Sequence, residues 1–358
     1  MFRQPESLEL TAATPAHGGW EAQEAMFYEQ LEGEAVQCQL CFRRCLIPEG
    51  ERGRCQVREN RQGRLKSLVH SRVAALHIDP VEKKPLNHFL PGQQRLCIGT
   101  AGCNFRCRFC HNWSMSQRAP EEVSGENILP PEEAVQVAVE EDLPMISFTY
   151  NEPTVFYEYM YEVARLAREE GIKVIVNTNG ALNREPLEKL LPYVDGVNVD
   201  LKAFTDEFYE ELTGGELETV LESLKIIEEA DVWLEIVNLV IPTKNDAPEE
   251  IREMCEWIRD NLGPDVPVHF SRFTPSYRLT ELPPTPVETL EEAIEIAYES
   301  GLNYVTIGNV PGHHRDSTYC SECGERIIHR VQFSVLSNEI SAGRCGHCGN
   351  EIPGVWDK

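Results

Sequence analysis

GCNFRCRFCHNW, residues 102–113, sets Cys103, Cys107 and Cys110 within eight residues and supplies no fourth cysteine. Structural zinc sites and self-contained iron–sulfur clusters ordinarily take four protein ligands, so a trio leaves one metal position open. The competing reading is a zinc knuckle completed by His111 or a distant residue. The three-residue gap and the lack of a matching CxxC nearby weigh against it.

Immediately before the trio, the β-rich run RLCIGT (95–100) leads into a glycine-flanked turn. From about Arg95 to Val310 such runs alternate with amphipathic helical patterns, the signature of a parallel sheet wrapped by helices. The other expected strands are MISFTYN, IKVIVNTN, VDGVNVDL, VWLEIVNLVI, VPVHFSRF and YVTIGNV. Between the second and third, Val155, Phe156, Tyr159, Met160, Val163, Leu166 and Ala167 form one helical stripe, with Gly171 as its stop. Pro131, Pro186 and Pro248 sit near later helix starts, and Gly263 and Gly301 follow helix ends. ELPPTPVE (281–288) reads as a rigid loop before the last core helix.

Polar residues gather where these strands end: Asn151 and Glu152, then Asn177 to Asn179, then Asp200 and Lys202, then Thr243, then Arg272 and Thr274. In a (β/α) barrel the carboxyl ends of the strands converge on one mouth, where active sites are built. Loops are polar anyway, which accounts for one such strand end. Five in succession, with amide, carboxylate and basic groups, favour a shared ligand.

Thirteen cysteines at short spacings point to metals more than disulfides. Besides the trio there are two quartets. Cys38-x2-Cys41-x3-Cys45-x9-Cys55 has enough ligands to close a site, and zinc or a second [4Fe–4S] cluster both fit. The tight turns of FRRC and PEGERGRC make a structural metal the preferred reading there. CSEC (320–323) and CGHC (345–348) enclose a strand-like run and read as a zinc ribbon with ligands Cys320, Cys323, Cys345 and Cys348. Cys97 and Cys255 read as buried small hydrophobes. His77, His88, His313 and His314 read as structural or loop residues.

Composition narrows the class. Hydrophobic residues make up 41% of the 358, and the formal charge is −26, which repels nucleic-acid phosphates and anionic membranes. The amino terminus lacks the apolar run of a secretion signal, and no stretch is long enough to cross a bilayer. A cytoplasmic protein is the expectation, with neither nucleic acid nor membrane as a partner.

CxxxCxxC after the first strand of a β/α core resembles the radical S-adenosylmethionine (SAM) superfamily. CRFCHN (107–112) is similar to the cluster loop of pyruvate formate-lyase activating enzymes. CQLCFRRCLIPEGERGRCQVREN (38–60), HIDPVEKKPLNHFLPG (77–92) and FTYNEPT (148–154) more closely resemble radical SAM enzymes of the AmmeMemoRadiSam system. The resemblance runs from about residue 25 to the carboxyl terminus.

It implies that Cys103, Cys107 and Cys110 hold a [4Fe–4S] cluster whose open iron takes SAM. Reductive cleavage would then give a 5′-deoxyadenosyl radical that abstracts hydrogen. Phe109 would bring its loop against the adenine, and Glu152 would accept a hydrogen bond from the SAM amino group. Tyr150-Asn151-Glu152 stands where relatives often carry Gly-Gly-Glu. Asn151, Asn177, Asn179, Asp200 and Lys202 would complete the cofactor contacts. An electron donor such as flavodoxin or ferredoxin is implied.

The expected plan is α/β: an extension over 1–24, a Cys-rich module over 25–92, a partial or full (β/α) TIM-like barrel radical SAM core over 93–312, and a zinc-ribbon-like module over 313–358. Two reaction settings follow from the resemblance. One is work with Memo-like and AMMECR-type proteins on an unnamed substrate, and the other is activation of a glycyl radical enzyme. A non-enzymatic zinc-binding scaffold is the reading from another class.

Overall fold

The β-rich runs between Arg95 and Val310 all form strands in the computed structural model, which describes residues 20–123 and 127–357. The expected amino-terminal extension lies outside the described residues as far as residue 19, and Gln23–Glu24 pairs with the strand Arg64–Ser67. The chain divides into two compact units, residues 1–79 with 94–195, and residues 80–93 with 196–358. Among the described residues no helix is long and apolar enough to cross a membrane.

In the first unit the core order is β1 (Gln94–Gly99), α1 (Pro131–Glu140), β2 (Met145–Phe148), α2 (Tyr157–Glu169), β3 (Lys173–Thr178) and α3 (Arg184–Leu190). β2 pairs in parallel with β1 on one side and β3 on the other. All four residues of β2 are buried, as expected of a parallel strand covered on both faces.

α2 begins later than its apolar stripe suggests. Pro153–Phe156 forms a 3₁₀ turn instead, and the Glu152 carboxylate caps it by accepting a hydrogen bond from the Thr154 N–H. The buried face then carries Met160, Val163, Ala164 and Ala167, the i, i+3, i+4, i+7 pattern, so Ala164 takes the inner place expected of Leu166.

The first cysteine quartet stands on two small antiparallel sheets. One joins Gln23–Glu24, Arg64–Ser67 and Arg58–Arg61, and the other joins Tyr28–Gln30, Val36–Cys38 and Leu46–Ile47.

The second unit continues with β4 (Gly196–Asp200), α4 (Leu217–Glu229), β5 (Trp233–Val240), α5 (Pro248–Leu262), β6 (Val268–Arg272), α6 (Val287–Glu299) and β7 (Val305–Gly308). These strands pair in parallel in the order β4-β5-β6-β7. Both units are thus α/β with parallel sheets. Cys97 in β1 and Cys255 on α5 are fully buried, as expected of small hydrophobes.

A carboxylate sits in the middle of β5. Glu235 is fully buried and accepts from the backbone N–H groups of Asn87 and His88 at 2.7 Å each, from the Trp233 indole at 2.9 Å, and lies 2.6 Å from His269 Nε2. Burial opposes its ionisation, but His269 and then His88 hold the Glu235 carboxyl down at about 2. That side chain ties Asn87 and His88 to this unit, and the Leu90 N–H donating to the Val355 carbonyl adds a backbone tie to the same segment. The strand Arg326–Val331 joins it through buried Arg330, whose guanidinium donates to Thr318 Oγ1 and to the carbonyl of Asn87.

Candidate functional site

The cysteine trio begins directly after β1, on a turn that another strand end grips. The Asn151 carboxamide oxygen accepts from Thr100 N at 3.0 Å, and its Nδ2 donates to the carbonyls of Ala101 at 3.2 Å and Gly102 at 2.8 Å. Gly102 has a φ of +82°, and a Cβ there would meet the Cys55 carbonyl oxygen at 2.5 Å. Only glycine satisfies both the left-handed turn and that close approach.

Beyond it Cys103, Cys107 and Phe109 are buried and Cys110 is half-buried, its sulfur 3.2 Å from Ser116 Oγ. Burial, and next the Glu152 carboxylate, push the Cys103 thiol well above its ordinary range, so a metal taken up here displaces a proton.

Glu152 is the hub of the strand ends. Its Oε1 accepts from Thr154 Oγ1 at 2.6 Å and Thr178 Oγ1 at 2.7 Å, and its Oε2 accepts from Asn179 N at 2.7 Å. Oε2 retains an acceptor lone pair. Burial pushes the Glu152 carboxyl up, against the Asn179 and Thr154 hydrogen bonds that lower it.

Asn179 continues the chain outward, donating from Nδ2 to Asn104 Oδ1 at 2.8 Å, inside the cysteine loop itself. Asn177 Oδ1 accepts from Ser147 Oγ at 2.9 Å, while its Nδ2 is buried without a hydrogen-bond partner. Tyr150 has a φ of 72°, in the left-handed region that favours glycine. Its hydroxyl donates to Asp79 Oδ2 at 2.8 Å, and Asn112 Nδ2 donates to its carbonyl at 2.7 Å.

The structure thus brings together Cys103, Cys107, Cys110, Asn151, Glu152 and Asn179 through hydrogen bonds and shared loops. Asp200 and Lys202 belong to the second unit, where they form an ion pair of 2.9 Å. Thr178, expected among the polar strand ends, joins this network, and Asn104, Asn112 and Ser116 complete it without having been singled out from sequence. Asn104 sits between two of the cysteines, and that placement was the available signal.

The trio fits a multi-iron group better than a single ion. Among the described residues, one set of three or more Cys, His, Asp or Glu donors lies within 4.8 Å of one another, and it is Cys320, Cys323, Cys345 and Cys348. His111, the alternative fourth ligand of a zinc knuckle, is exposed.

The carboxyl-terminal quartet has Cys320 and Cys348 sulfurs 3.7 Å apart and Cys323 and Cys345 sulfurs 3.8 Å apart. Tetrahedral Zn–S bonds of ~2.3 Å place sulfurs about 3.8 Å apart. Its two knuckles match: Cys320 N donates to Glu325 O and Gly324 N to Cys320 O, as Cys345 N does to Asn350 O and Gly349 N to Cys345 O. Burial opposes ionisation of Cys345, yet the N–H groups of Cys348 and His347 bring its thiol down to about 6.

The amino-terminal quartet differs. Cys38, Cys41, Cys45 and Cys55 line a small pocket together with Arg43, Arg58, Asn104 and Thr154. Burial pushes the Cys55 thiol up to about 11.

Residues 97–258 match the family described as the Radical SAM superfamily. The chain is 46% identical to an uncharacterised protein of Methanocaldococcus jannaschii, across 92% of this chain and 98% of that protein. It is 26% identical to the pyruvate formate-lyase-activating enzyme of Clostridium pasteurianum, across 46% of this chain and 70% of that enzyme. Among solved structures, Streptococcus suis SuiB bound to S-adenosylmethionine aligns at a TM-score of 0.48 and 15% identity, over 62% of this chain and 51% of that one.

Proposed function

Because the chain belongs to the radical SAM superfamily and is an enzyme of that class, we propose that Cys103, Cys107 and Cys110 hold a [4Fe–4S] cluster beside a SAM site built by the first unit. When bound, cluster and SAM supply one electron and a 5′-deoxyadenosyl radical able to abstract hydrogen. The chain's own residues place and shield them. Asn151 sets the turn that aims Cys103, Glu152 and Asn179 lock the loop through Asn104, and Tyr150 holds the strand-end kink.

The observation that carries this reading is a ready-made pair of polar atoms at the strand ends. Glu152 Oε2 has acceptor capacity for an ammonium group, and buried Asn177 Nδ2 is a donor with no partner. Membership of the superfamily sets aside the non-enzymatic scaffold.

The carboxyl-terminal quartet is proposed as a structural zinc site of ribbon type, on the strength of its sulfur spacing. For the reaction setting, the stretches at 38–60, 77–92 and 148–154 support work alongside Memo-like and AMMECR-type proteins in the cytoplasm, fed by a flavodoxin or ferredoxin. A second reading, activation of a glycyl radical enzyme, is favoured by the 26% identity to a pyruvate formate-lyase-activating enzyme.

The test is anaerobic reconstitution with iron and sulfide, reduction, and addition of SAM, with a Cys103→Ala, Cys107→Ala, Cys110→Ala variant alongside. Formation of 5′-deoxyadenosine by the wild type alone is expected. A well-loaded wild type that makes none with several reductants overturns the proposal.

A further inference from the structure

We propose that the amino-terminal quartet holds a second [4Fe–4S] cluster and passes electrons from it to the adjoining Cys103–Cys110 loop. Three observations within the first unit carry this.

The first is size. Four thiols surround a cavity instead of meeting at a point, and no three of them fall into the tight donor set that the carboxyl-terminal quartet forms among the described residues. One zinc ion draws its sulfurs to about 3.8 Å. A cubane carries its irons at separate corners and needs its cysteines spread around it, and four thiolates are its usual ligand set.

The second is Arg58. Its side chain is 2% exposed, lines the cavity, and pairs with Glu158 at 3.1 Å, yet its Nε and Nη1 are buried without hydrogen-bond partners. Buried donors are rarely left unpaired. Sulfide and thiolate acceptors on an anionic cluster would satisfy both.

The third is the way the two cysteine loops interlock. Arg43 Nε donates to Asn104 O at 2.6 Å, Arg106 donates to the carbonyl of Arg54, and Phe42 meets Phe105 edge-on at 5.8 Å between ring centroids. Gly102 lies against the Cys55 carbonyl. A cluster with four protein thiolates has no open iron for a substrate, which leaves electron transfer as its chemistry. The quartet would accept one electron from a reduced carrier of the flavodoxin or ferredoxin class and pass it to the Cys103–Cys110 site, where one-electron cleavage of the sulfonium carbon–sulfur bond would release methionine beside the 5′-deoxyadenosyl radical. Each bond broken oxidises one carrier by one electron.

The relay rests on the radical SAM reading, whereas the cluster assignment does not. The full chain, reconstituted with iron and sulfide in the presence of zinc, is expected to hold about eight iron atoms, four per cluster, and about one zinc. Any total that leaves the quartet without four iron of its own overturns the assignment.

A Cys41→Ser, Cys55→Ser variant is expected to lose about half the iron and to keep the electron paramagnetic resonance signal that SAM perturbs. Should that variant not fold, Arg58→Met with Glu158→Met keeps the quartet and is expected to lower the midpoint potential of the SAM-insensitive signal. An unmoved potential counts against the cluster as a neighbour of Arg58.

For the relay, 5′-deoxyadenosine formation by the cysteine variant should fall more than about tenfold with reduced flavodoxin while persisting with dithionite. Equal rates with both donors overturn the relay. Failure of the wild type with both donors instead strikes the radical SAM reading, and the iron count still decides the quartet.

Discussion

The two cysteine quartets have nearly the same ingredients and opposite geometries. At the carboxyl end, matched knuckles bring the sulfurs to 3.7 and 3.8 Å, with Cys323 and Cys348 exposed. At the amino end, the sulfurs line a cavity shared with two arginines and with the neighbouring cysteine loop. Knuckle hydrogen bonds point backbone N–H groups at a single centre, while sheet-borne turns hold their thiols apart around a volume. Ligand count alone therefore does not separate the two proposed sites, and the framework beneath the ligands does.

The contrast can be broken hardest at the closed quartet. Cys345→Ser should abolish zinc binding while leaving iron unchanged, costing on the order of 10 kcal/mol of binding free energy that holds residues 318–356 together. Zinc analysis and hydrogen exchange read this out, and joint loss of iron and zinc would contradict the independence of the sites.

Glu235→Gln comes next, since it leaves His269 without its buried partner and loosens the segment that Arg330 grips; a stability loss of about 3–5 kcal/mol is expected. In the wild type the Glu235 carboxyl is held at about 2, below the usual carboxylate range, so its contribution is present above the unfolded pKa and lost as pH falls from about 4.5 toward 2. Denaturant melts across that window should show the loss in the wild type and not in the variant.

Gly102→Ala sharpens the comparison from the other side. Its Cβ collides with the Cys55 carbonyl, so about 1–3 kcal/mol of strain should reach both amino-terminal ligand sets at once. Iron content should drop by more than the share of either cluster, with zinc intact.

The smallest effect is expected from Asn177→Ala, which removes one donor: SAM affinity falls by about 2- to 10-fold with iron unchanged, measured by titrating the SAM-dependent spectral change.

Much of the frame was legible because it is local. Strand periodicity, proline and glycine punctuation and cysteine spacing each depend on a few neighbouring residues, and the strand-end residues Asn151, Glu152 and Asn179 do meet in one network. What escaped depends on pairing across long separations. Asn104 and Arg58 look like ordinary loop and strand polar residues until the cysteine loops are folded together. Glu235 was visible only as a charge inside VWLEIVNLVI, a hint of a partner that the sequence places 34 residues away in His269. Turn-rich spacing in the first quartet fixes which thiols can meet and not how far apart the folded sheets hold them.

Gly102 and Cys55 touch although forty-seven residues separate them along the chain. Closing so long a loop costs entropy before the contact offsets it, so such pairings form late in folding. A newly made chain therefore passes through an interval in which seven thiols are accessible and neither amino-terminal ligand set exists. During it, mismatched sulfurs can share a metal and oxidants can reach groups that the finished structure buries. If both sites take clusters as proposed, delivery would compete with chain closure, and slow-closing variants would reveal themselves by the metals they carry before any change in melting temperature.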